Sequence, residues 1–188
     1  MIKNSYILLL LLTSMLAAAQ DRIAGIISNI RYVTDVPYQQ LEIMPDNSNF
    51  RYNAGCGDHL YWQVVNIRLQ AVPQLIGMVD DMSPSQAKLP SGVYYRTGDV
   101  ALIVLKEIIH NIPIETLSGL KTADFAAPYY FYEEGLKDKA KRTALKEALL
   151  KWYTENQKQI TFVKGQTYGN CHCFGKHPVG GAYYFEAK

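Results

Sequence analysis

The chain has 188 residues, close to half of them apolar, and its 19 basic and 17 acidic side chains leave a formal charge of +2. A balance this near to neutral makes no electrostatic case for nucleic-acid binding. The length suits one domain with a real core rather than two.

The first residues, MIKNSYILLLLLTSMLAAAQ, place Lys3 before an apolar run from Tyr6 to Leu12 and then Ala17-x-Ala19. That order is a secretory signal peptide over residues 1–19, with cleavage before Gln20. Its apolar core is shorter than the roughly 20 residues that cross a bilayer as a helix, and no later stretch is longer. The expectation is an exported protein, periplasmic or secreted, with no membrane span after cleavage. Residues 20–188 then form a single helical domain.

From Asp21, the residues Ile23, Ile26, Ile27 and Ile30 recur at helical spacing behind an acidic cap. A polar loop containing DNSN follows. Asp58 then caps a helix presenting Leu60, Tyr61, Val64 and Val65, and Pro73 opens a second helix with Leu75, Ile76 and Val79 on one side, running to Asp81. Proline is tolerated there because the first N–H groups of a helix lack partners in any case. The stretch MSPSQAKLPSGVYYR, with its Pro, Ser and Gly, reads as a loop. After it, Thr97 or Asp99 caps a helix whose Val100, Ala101, Val104, Leu105, Ile108 and Ile109 form a wide apolar stripe, and IPIETLSGL starts another short helix. His110 falls at the C-terminal end of that stripe, where a cation is mildly favoured.

A unit of Gly-Asp, helix, proline turn and helix thus occurs twice, from Gly57-Asp58 and from Gly98-Asp99, at an offset of 41 residues. The segments AVPQLIGMVDD and TGDVALIVLKEI resemble the second and first helices of consecutive HEAT repeats, whose period is roughly 40 to 47 residues. The resemblance covers about residues 58–117. It implies stacked helical hairpins that act as a scaffold and bind another protein along one face. Two units are fewer than such arrays normally need, so other elements have to cap them.

Two caps are visible. EEGLKDKAKRTALKEALLKWYTENQ reads as one long helix whose buried stripe is Leu136, Ala140, Leu145, Leu149, Trp152 and Tyr153, with Lys137, Lys139, Lys141, Arg142 and Lys146 on a solvated face. Beyond it, ITFVKG and GAYYFEAK are β-type runs that form a small hairpin, the second fed by a Pro178, Gly180, Gly181 turn. The expected fold class is mainly α: HEAT-like stacked helical hairpins, capped by a long helix and a small C-terminal β-hairpin.

The cysteines number three, and two of them lie in NCHCFGKHPVGG. Cys171 and Cys173 are too close to bond each other without strain, so in an oxidising compartment either is expected to pair with Cys56. Such a bond closes a loop of roughly 115 residues, for which chain entropy alone gives an upper figure of about 4.7 kcal/mol. Two alternatives compete. Cys171, His172, Cys173 and His177 offer zinc or copper ligands, although their spacing lacks the separated pairs of structural zinc sites. A free Cys171 or Cys173 with His59 or His177 as base, or a His59–Asp58 pair, would suit a small exported hydrolase, without any local signature of a thiol protease.

Tyrosine is overused, with 14 residues, and Tyr94, Tyr95, Tyr129, Tyr130 and Tyr132 cluster in VYYR and PYYFYEEG. An apolar ring with a polar tip suits first the seam between packed elements, second a protein interface and third sugar stacking. No catalytic set and no cofactor motif accompany them. The function expected is therefore protein–protein interaction, as a binding or scaffold protein that in one concrete form masks a toxin as an immunity protein does.

Overall fold

The computed structural model describes residues 20–37, 57–89, 91–126, 129–164 and 180–186. Residues 20–28 are helical (α1) and tighten into a 3-10 turn over Asn29–Tyr32. Ile27, Ile30, Val33 and Val36 are buried along this segment, with Ile23 and Ile26 partly covered, as the isoleucine spacing predicts.

Helix α2 spans His59–Asn66 and buries Tyr61, Trp62, Val64 and Val65. Asp58 caps it: its Oδ1 accepts from the Tyr61 N–H at 2.9 Å. The other oxygen, Oδ2, accepts from the Thr34 N–H at 2.6 Å and from the Thr34 hydroxyl at 2.9 Å, while Asp35 Oδ2 accepts from the Gly57 N–H at 3.0 Å. The chain leaving at Pro37 and the chain returning at Gly57 are therefore clasped together by their own flanking residues. Arg68, at a left-handed φ of 62°, breaks the helix after Ile67, and a 3-10 turn over Arg68–Ala71 leads into α3, Val72–Gly77, with Pro73 in its first turn. Helix α3 stops short of Asp81, the limit expected from the sequence.

Residues 82–96 correct the sequence expectation of a plain loop. Pro84–Lys88 (β1) and Tyr94–Arg96 (β2) pair antiparallel, from Pro84 opposite Arg96 to Lys88 opposite Tyr94, with a register shift between. β1 alternates exposed and buried, its inward residues being Ser85 and Ala87. Ser85 Oγ donates to the Tyr95 carbonyl at 2.8 Å, which satisfies a hydroxyl that would otherwise be costly to bury.

Helix α4, Thr97–Ile108, is buried around nearly its whole circumference, Lys106 excepted, as befits a helix at the centre of a core. Its N-terminus sits hard against the end of α3. The Gly98 N–H donates to the Asp81 carbonyl at 3.0 Å, and a Cβ on Gly98 would lie 2.3 Å from the Val79 carbonyl oxygen, so only glycine fits. Asp99 rather than Thr97 does the capping, its Oδ2 accepting from the Arg96 N–H at 2.8 Å.

α4 runs directly into β3, Ile109–His110, so His110 lies on a strand beyond the helix end. Helix α5 covers Ile114–Ser118 and ends on Gly119 at a φ of 68°, a left-handed cap. Phe131–Gly135 forms a π-helical turn, and after a break at Leu136–Asp138 the long helix α6 runs over Lys139–Asn156. The single helix expected from Glu133 onward is thus two pieces. The stripe also differs: Ala140 is exposed, and the fully buried residue of the first turns is Arg142, followed by Leu145, Leu149, Trp152 and Tyr153.

The expected C-terminal hairpin is present as β4, Ile160–Lys164, and β5, Gly181–Phe185, antiparallel with Phe162 opposite Tyr183. A third strand joins it: β3 pairs with β5 in parallel, Ile109 opposite Tyr183, so β5 is the middle strand of the order β3-β5-β4. The Trp152 ring meets Phe185 edge-on at 5.0 Å and fastens this sheet to α6. One buried apolar cluster extends from Ile27 to Ile160 and takes in residues of each helix from α1 to α6. The fold is mainly α with two small sheets.

Candidate functional site

The tyrosines chosen from the sequence divide sharply. In β2 successive side chains point to opposite faces, which sends Tyr95 fully inside and leaves Tyr94 47 % exposed beside Val93 at 51 %. Tyr95 meets Tyr132 edge-to-face at 5.9 Å, and Tyr132, on the π turn, is itself buried. These two line the seam between the hairpin and the turn. Burial drives the Tyr95 hydroxyl far above the ordinary phenol pKa of 10.0, and the neighbouring Tyr132 and Asp99 push it the same way. Tyr129 and Tyr130 are half-buried and stacked on each other at 4.4 Å.

Two further contacts hold the hairpin to the π turn: the Ser91 hydroxyl donates to Glu133 Oε2 at 3.0 Å, and Arg96 Nη1 donates to the Tyr132 carbonyl at 3.3 Å. Gly135 lets the turn close, since a Cβ there would lie 2.8 Å from the Phe125 ring. On the outer side, Lys88 Nζ lies 5.2 Å above the Tyr94 ring. What results is an exposed aromatic–aliphatic pair, Tyr94 and Val93, on a hairpin fixed at both its base and its tip.

A second group of polar side chains was not anticipated. Glu107 of α4 is buried and its Oε2 accepts from the Tyr61 hydroxyl of α2 at 3.3 Å. Tyr184 of β5 lies near the same carboxylate. Burial first, and the Glu107 charge second, raise its phenol pKa. The His110 ring stands 4.9 Å from Tyr184 at a tilt of 33°. Four elements, α2, α4, β3 and β5, converge here. A carboxylate beside Lys106 reads as solvent-facing in sequence, and its burial comes from elements distant in the chain that pack against α4, α2 and β5 among them.

His59 is exposed on the first turn of α2, with its ring nitrogen 2.8 Å from the Gln63 side-chain amide. Asp58 uses both oxygens on Tyr61 and Thr34, and among the described residues no hydrogen bond joins it to His59. Cys56, Cys171, His172, Cys173 and His177 lie outside the described residues, and with them the disulfide, thiol and metal alternatives. Among the described residues no group of three or more His, Cys, Asp or Glu is placed to hold a metal ion. No helix among them is long and apolar enough to cross a membrane.

Comparison with protein-family models, with curated proteins and with solved structures returns no match.

Proposed function

We propose that this chain is an exported helical binding protein that works by contacting another protein. The observation that carries this reading is the exposed pair Val93 and Tyr94 on a hairpin held rigid by Ser91–Glu133, Arg96–Tyr132 and Tyr95–Tyr132. A large amphipathic ring presented on a preordered support loses little conformational freedom on binding, which is what makes tyrosine effective at interfaces. Tyr94 is the contact residue of this set, with Tyr129 and Tyr130 as flanking candidates and Tyr95 and Tyr132 as its support.

The two helical units of residues 58–117 are proposed to stack in a HEAT-like way. Support comes from the close seat of Gly98 on the Val79 carbonyl, which brings the start of the second unit against the end of the first. The β1–β2 hairpin lies between the units as an insertion that such repeats do not require. Masking of a toxin is the concrete form of the proposal.

The test is a pair of substitutions read against one partner assay. Tyr94→Ala is expected to abolish stoichiometric complex formation with an envelope-fraction protein, measured by size-exclusion chromatography with light scattering, while leaving the melting temperature unchanged. Tyr95→Ala is expected to lower the melting temperature by several degrees. A stoichiometric complex that survives Tyr94→Ala unweakened, or the failure of wild-type protein to form one, overturns the assignment.

A further inference from the structure

We draw no further inference here: the strongest candidate, the outer edge of β4, where Phe162 under Arg68 and Val163 on the opposite side are exposed, is an unpartnered apolar edge and nothing in the structure shows what covers it.

Discussion

Arg142 of α6 and Asp99 of α4, 43 residues apart in sequence, form an ion pair at 2.5 Å with the guanidinium fully buried. The same side chain donates from Nε to the Leu136 carbonyl at 2.6 Å and from Nη1 to the Val79 carbonyl at 3.4 Å. Burial pushes the Asp99 carboxyl above the usual carboxylate range, while Arg142 and the Arg96 amide pull it back. A single guanidinium thereby joins the end of α3, the start of α4 and the break before α6.

Removing only the cation should be severe. Arg142→Met leaves Asp99 buried without its partner and is expected to cost about 3–5 kcal/mol in urea unfolding. Adding Asp99→Asn should recover only part, because the Leu136 and Val79 carbonyls still lose a donor at about 1–3 kcal/mol each. A double variant as stable as wild type would show that the carbonyl contacts carry nothing.

Gly98 provides a test of close packing. Gly98→Ala forces a Cβ against the Val79 carbonyl oxygen, which Arg142 also uses, and should cost at least the roughly 1–3 kcal/mol typical of overpacking. Gly77→Ala is the control, since a Cβ there meets nothing within 4 Å. It should be neutral or stabilise by up to about 1 kcal/mol. Equal effects of the two substitutions would contradict the α3–α4 contact described above.

Asp58 unites a helix cap and a chain clasp. Asp58→Ala should cost about 1–2 kcal/mol from the cap, and more once Thr34 loses both its bonds. His59→Ala removes an exposed ring whose hydrogen bond is to Gln63, and should leave the stability within about 0.5 kcal/mol of wild type. Turnover of any ester or peptide substrate that disappears in His59→Ala would instead favour the hydrolase alternative.

Two groups contribute to the pH dependence of stability with opposite signs. Tyr95 has a raised folded-state pKa, so its contribution is complete below about pH 10 and falls as pH rises, when only the unfolded chain ionises. The slope approaches 1.4 kcal/mol per pH unit for one such group. Tyr95→Phe should flatten that alkaline limb, leaving the smaller share of Tyr153 and Tyr184. Asp80 is held below its ordinary value of 3.8 by its hydrogen bond to Lys146 at 2.7 Å, so its contribution is present above about pH 4 and lost as pH falls through the lowered pKa. Partly exposed, this pair is worth at most about 1 kcal/mol, and Lys146→Met should remove that acid-side loss.

The disulfide expected between Cys56 and Cys171 or Cys173 is checked by mass spectrometry of the non-reduced mature protein after proteolysis. A cross-linked pair joining Cys56 to Cys171 or Cys173 is expected, with a mature N-terminus at Gln20 or Asp21. Three alkylatable thiols, or a retained stoichiometric metal ion, would rule that disulfide out.

Much of the helical framework was legible because its stripes are long and apolar. Ile27 with Ile30, Val64 with Val65, and the run from Val100 to Ile108 declare their buried sides by spacing alone. β4 and β5 were legible from their Thr, Val, Phe and Tyr content. β1 was not, because PSQAK has no β-branched or aromatic residue and buries only small side chains, Ser85 and Ala87. Missing β1 hid the difference between Tyr94 and Tyr95, which period-two alternation would have separated at once. Arg142, assigned to a solvated face, and Glu107, not singled out, were missed for a different reason: a charged residue reads as solvated until its partners are known, and those partners come from distant parts of the chain.

The position of β5 also bears on how the chain acquires its structure. A nascent polypeptide still lacking residues 181–185 has no strand to lie between β3 and β4, and Trp152 has no Phe185 to meet. The helices have local instructions and can begin to organise early, whereas the sheet must wait for β5, which follows both of its neighbours in the chain. Until β5 docks, the edges of β3 and β4 that it covers are unpaired, which ties the hazard of aggregation to the interval before that strand is in place.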